Sequence, residues 1–122
     1  MKLSAIQKIL LAEVITGHDK LEMPIEKCTA SDLMSDLLTG PSTGSVLLTG
    51  LCNIQVIRTS VIADISAIVF VRGKRPTEEL ITHAREHDLP LLTTPFTMFS
   101  SSGRLFSRGL RGLEITLPKS DS

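Results

Sequence analysis

Three short apolar runs, at residues 46–48, 67–71 and 89–92, are bounded by turn-forming residues and separated by segments of crossover length. A run that is apolar at every position fits a strand buried on both faces of a parallel sheet. Two parallel neighbours need a connection of about a dozen residues, normally a helix. Residues 76–87 read as one: Pro76 in the first turn, Glu78 and Glu79 at the positive end, and Leu80, Ile81 and Ala84 on one face. Residues 53–64 are rich in β-branched side chains, which favour a strand. Yet Ile54, Ile57, Val61 and Ile65 keep helical spacing, and the crossover requirement selects a helix. After the third run, Thr94 or Thr97 stands where a helix holding Met98, Leu105 and Phe106 would be capped, ending near Gly109.

The preceding part of the chain is more varied. Leu3, Ile6, Ile9 and Leu10 have helical spacing, with Ser4 as a candidate cap. Residues 13–16 read as a short strand stopped by Gly17, and residues 24–28 as an edge strand opened by Pro24. Ser31 precedes Leu33, Met34, Leu37 and Leu38, which predicts a capped helix ending at Gly40-Pro41. The expectation is a small α/β layered domain over residues 1–117 with a mostly parallel central sheet flanked by helices, followed by a polar tail at 118–122.

Composition removes several classes of function. Aromatic residues make up 3% of the chain, with no Trp and no Tyr, too few for a base-stacking nucleic-acid platform. Thirteen basic and thirteen acidic residues cancel, so no net field draws in nucleic acid or an anionic membrane. No run reaches the ~18–20 apolar residues of a membrane span, and the first seventeen residues lack a convincing cleavage site. Cys28 and Cys52 form no CxxC pair and read as reduced thiols, in keeping with a cytoplasmic protein.

The tetrad LLTG occurs twice, ending at Gly40 and Gly50, with a Gly/Ser/Thr-rich patch between. A Walker loop would need four residues between its glycines, then Lys, with a strand before and a helix after. Gly40 and Gly44 are too close, Ser45 follows Gly44 directly, and the order of elements is reversed. The patch is therefore a helix-to-strand connection, and nothing beyond four residues repeats. The second LLTG matters more, because Thr49 and Gly50 leave the C-terminal end of a buried strand. Arg72, Gly73 and Lys74 leave the next, and Thr93 and Thr94 the third. Ligands of open parallel sheets bind outside the carboxyl ends of the strands, where helix N-termini present free N–H groups. With Asn53 and Thr97 opening the following helices, these positions form the candidate ligand-binding set. Singly, each Thr or Gly is explained by a cap or a turn. Jointly, three polar exits with two cations fit a small anionic ligand at one crevice.

Other groupings carry less. His83 and His87 share a helix face, but a metal needs further convergent ligands, and no metal or cofactor is expected. Asp32 and Asp36 have one-turn spacing, and Asp32 in a first turn simply favours the helix dipole. Ser100, Ser101 and Ser102 lack the context of a nucleophile elbow. Arg104, Arg108 and Arg111 read as surface arginines lying along apolar surface. No acid–base pair or nucleophile is assigned, so no catalytic residue is expected.

The runs SDLMSDLL, VLLTG, AIVFVRGKRP and LPLLTTPFTMFSSSGRLF, in that order and spacing, resemble the DRTGG domain over about residues 3–110. The matched positions are Ser31, Asp32, Asp36, Thr49, Gly50, Gly73, Thr94 and Pro95. This chain has no contiguous Asp-Arg-Thr-Gly-Gly, and carries Gly50-Leu51-Cys52-Asn53 where many members have Gly-Asp-Arg. The resemblance implies a homodimeric, non-catalytic sensor module of the kind found alone or beside CBS domains. Size and the Ile6, Ile9, Leu10 stripe point to the first helix as the dimer surface. The expected function is regulatory binding of a small anionic or nucleotide-like ligand. The alternative is an adaptor that docks on a partner enzyme and binds nothing small.

Overall fold

A computed structural model describes residues 1–114. The elements run α1 (Leu3–Ile9), β1 (Glu13–Thr16), a 3-10 turn (His18–Lys20), β2 (Lys27–Ala30) and a second 3-10 turn (Met34–Leu38). They continue β3 (Ser45–Thr49), α2 (Ile54–Ile62), β4 (Ala67–Phe70), α3 (Glu78–Glu86), β5 (Leu91–Thr93) and α4 (Met98–Ser107). The five strands form one sheet in the order β1-β5-β4-β3-β2. β2, β3, β4 and β5 run parallel, and β1 pairs antiparallel with β5 at one edge. The fold is thus the expected α/β layered domain with a mostly parallel sheet. The tail at 118–122, and the domain's last residues up to 117, lie outside the described residues.

Strand alternation divides the core between two layers. Val46, Leu48, Val69 and Leu92 face α1 and α4, where they meet Leu3, Ile6, Leu10 and Leu105. Leu47, Ile68, Phe70 and Leu91 face the other way, toward Val56 and Ile57 of α2, Leu80 and Ala84 of α3, and Met34 and Leu37 of the second 3-10 turn. Residues 53–64 resolve as the crossover α2 despite their strand propensity. Burial of Val56 and Ile57 against the sheet outweighs the small intrinsic penalty of β-branching in a helix.

Four local expectations need correction. Ser4 does not cap α1. The position before the helix is Lys2, and the Leu3 and Ser4 amides donate to the carbonyls of Met23 and Leu21 at 3.0 and 2.8 Å. A distant backbone segment therefore does the work of a capping side chain. The helix expected after Ser31 is only the 3-10 turn Met34–Leu38, because the Ser31 hydroxyl accepts from the Leu33 amide at 2.9 Å and holds that stretch in a local turn. The edge strand is Lys27–Ala30 rather than residues 24–28. Pro24 has no ladder N–H, and the Ile25 amide is taken by the Met1 carbonyl. Finally, Ile6 and Leu10 are fully buried in this chain's own core, so of the α1 stripe only the partly buried Ile9 reaches the surface.

Candidate functional site

Because β2 to β5 are parallel, their C-terminal ends share one edge of the sheet. All nine candidate residues lie at that edge or in the first residues beyond it. Their immediate partners divide them into two groups.

The β4 and β5 exits are zipped together. Arg72 and Gly73 both adopt left-handed backbone, with φ of 60° and 68°. That conformation is costly for Arg72 and easy for Gly73. It turns the Arg72 amide to donate to the Phe96 carbonyl at 2.7 Å and the Gly73 amide to the Thr94 carbonyl at 2.8 Å. The Thr93 hydroxyl donates to the Lys74 carbonyl at 2.6 Å. Thr94 is fully buried, and its hydroxyl donates to the Leu10 carbonyl at 2.6 Å. Thr97 caps α4 by accepting from the Ser100 amide at 3.1 Å. The side chains of Arg72 and Lys74 are exposed, and open space surrounds Gly73.

The β3 exit is organised by Asp32. One oxygen of its carboxylate accepts from the Thr49 hydroxyl and from the Gly50 amide, both at 2.8 Å. Thr49 is fully buried and also accepts from the Leu51 amide. Asn53 caps α2, its side-chain oxygen accepting from the Val56 amide at 3.2 Å. Cys52 connects the two groups: partial burial raises its thiol pKa, while the Lys74 charge pulls in the opposite direction. A side chain at Gly50 would lie 3.8 Å from both the Asp32 carboxylate and Val71, the residue before Arg72.

Asp32 is the residue that its reading as a helix-dipole group misses. It occupies no helix, and Asp36, its supposed partner, accepts from the Ser31 hydroxyl instead. The signal was β2 itself. A parallel strand beside β3 carries the residues that follow it to the same edge as Thr49 and Gly50.

The remaining groupings lie elsewhere. The His87 ring faces the His83 carbonyl at 3.0 Å, and the His83 ring is 3.8 Å from Glu86. Among the described residues, no group of three or more His, Cys, Asp or Glu side chains is placed to hold a metal. Arg75 pairs with Glu13, and Arg104 stacks over the Phe96 ring at 3.8 Å. Among the described residues, no helix is long and apolar enough to cross a membrane.

No protein-family model matches the chain, and no curated protein matches it. Its fold is similar to that of a solved structure comprising the CBS and DRTGG domains of the regulatory region of a Clostridium perfringens pyrophosphatase, complexed with the activator diadenosine tetraphosphate. The TM-score is 0.71 at 21% identity, over 85% of this chain and 45% of that one. The chain therefore spans less than half the length of that structure, and what the two share is the α/β architecture described above.

Proposed function

We propose that this chain is a regulatory, non-catalytic module that binds a small anionic, nucleotide-like ligand at the ends of β3, β4 and β5, and that it works as a cytoplasmic homodimer. The observation that carries the reading is the pairing of opposite chemistries at one edge. Arg72 and Lys74 stand exposed next to an open Gly73, and the Asp32 carboxylate is fixed beside Gly50. A bare anion is attracted by the first and repelled by the second. A ligand with both phosphate and sugar hydroxyls satisfies both, its phosphates meeting the cations and its hydroxyls donating to Asp32. The Asn53 amide group and the Thr97 hydroxyl proton add donors at the starts of α2 and α4. Similarity to a regulatory region complexed with diadenosine tetraphosphate supports a nucleotide over other phosphorylated compounds. The hydroxyls of Thr49, Thr93 and Thr94 each donate to an acceptor within the chain, which argues against any of them serving as a nucleophile.

A thermal-shift series with diadenosine tetraphosphate, ATP, AMP and inorganic phosphate tests this. Ligand at a hundredfold excess over its dissociation constant adds about 2.7 kcal/mol of apparent stability. The expected order is nucleotides above phosphate, with the shift lost in Arg72→Ala. If no compound moves the melting point, the second reading takes its place: an adaptor that docks on a partner enzyme without a small ligand. The internal bonding of the three threonines favours that reading too, because it leaves few side-chain donors at the edge. Sedimentation showing only monomer at micromolar concentration overturns the homodimer.

A further inference from the structure

The outer face of α4 exposes two large apolar side chains among small, polar and charged ones. Phe99 is 87% exposed and Phe106, two turns on, is 58% exposed. The helix meets the core instead through Ser101 and Leu105. Between α4 and α1 runs an open groove of about 350 Å³, with Ile9 and Phe99 as its apolar walls. Ser100, Gly103 and Ser107 of α4 also line it, and a Cβ at Gly103 would meet nothing within 4 Å. Small residues at this spacing allow another backbone to approach closely.

The same groove is positively charged. Among the described residues it is lined by Arg104 and Arg108 and by no carboxylate. No acidic residue occurs in the sequence between Asp88 and Glu114. Arg104 is already held in place, 3.8 Å over the Phe96 ring and donating to the Ile9 carbonyl at 3.4 Å. A fixed cation loses less rotamer entropy on meeting a carboxylate than a mobile one.

We propose that the α1–α4 groove docks an acidic amphipathic helix of a partner protein. The shape of the site suits a rod laid between two helices, with an apolar stripe against Ile9 and Phe99 and carboxylates beside Arg104 and Arg108. A lipid surface is a plane and leaves a groove unfilled. A second copy related by two-fold symmetry sets this patch against itself, and so brings arginines toward arginines. The groove shares no residue with the strand-exit set, although Ser100 adjoins Thr97, and it stands whether or not that ligand exists.

The test uses the full chain and two synthetic helical peptides with the same leucine stripe, flanked by glutamate in one and by lysine in the other. The glutamate peptide should bind at least about tenfold more tightly at low salt, and high salt should shrink the difference. Amide shift changes should fall on α1 and α4. The double variant Arg104→Glu, Arg108→Glu should reverse the preference, and Phe99→Ser should weaken both peptides; these positions are on the surface, and circular dichroism checks that each variant folds. Equal binding of the two peptides, or shifts mapping elsewhere, overturns the proposal. So does a concentration-dependent dimer abolished by Phe99→Ser, or binding to phosphatidylglycerol vesicles with no preference between peptides.

Discussion

The Asp32 carboxylate and the Gly50 amide are joined by a 2.8 Å hydrogen bond that ties the chain leaving β2 to the chain leaving β3. The same oxygen holds the buried Thr49 hydroxyl. Hydrogen bonds to a charged group contribute about 1.5–3 kcal/mol, less where solvent reaches them. Asp32→Ala is therefore expected to lower stability by about 1–2 kcal/mol in urea unfolding. Asp36→Ala, which loses only an exposed contact with Ser31, should stay within about 0.5 kcal/mol.

Cys28 and Cys52 should differ in reactivity. Burial pushes the Cys28 thiol up to about 12, while partial burial raises the Cys52 thiol against the opposing charge of Lys74. A disulfide-exchange reagent at pH 8 is expected to label Cys52 first in the folded chain and both residues alike in denaturant.

The Cys28 shift also has a stability consequence with a definite sign. Its folded pKa lies above the unfolded value of 9.0, so the unfolded state releases its proton first as pH rises. The contribution is fully present below pH 9 and is lost progressively toward pH 12. Comparison of urea midpoints for the native chain and Cys28→Ala across this window should show a steeper decline in the native chain.

Among the described residues, three buried serine hydroxyls, on Ser45, Ser60 and Ser101, have no hydrogen-bond partner. An unsatisfied buried polar group is costly, and its removal without loss of volume relieves that cost. Ser101→Ala in α4 should raise stability by about 1 kcal/mol. Phe70→Ala, which empties a fully buried site in the other layer, should cost about 3–5 kcal/mol.

The caps give a smaller and more uniform effect. Asn53→Ala and Thr97→Ala each remove a side-chain acceptor from a helix start and should each cost about 1 kcal/mol.

What could be read from the sequence follows a simple physical division. The runs around Leu47, Ile68 and Leu91 were legible because strands buried on both faces carry their environment in every residue. The same runs fixed the shared edge of Thr49, Arg72 and Thr93, and the crossover requirement resolved α2 against its own propensity. The region around Ser31 and Asp32 was not legible. Their side chains make bonds to the Leu33 amide and to the next strand's exit that a cap-and-periodicity pattern cannot distinguish from a helix start. The α1 start failed for a related reason, since its amides are satisfied by Leu21 and Met23 rather than by a neighbour in sequence. Phe106 shows the limit of apolar patterning from the other side: a large apolar residue grouped with Met98 and Leu105 in the sequence that faces solvent in the fold.

The strand order has a bearing on synthesis. β1 and β2 are the first strands of this segment to leave the ribosome, yet they form the two outer edges of the finished sheet. β2 finds its partner soon, when Ser45–Thr49 follows it out, but β1 pairs only with Leu91–Thr93, the last of the five described strands to be made. Until then the nascent chain carries an unpaired strand, and beside it the apolar side of α1, whose cover from α4 comes later still. Productive folding in the cell therefore depends on how quickly the last third of this segment is translated, and slow codons between β4 and β5 would lengthen the interval in which the beginning of the chain is open to wrong partners.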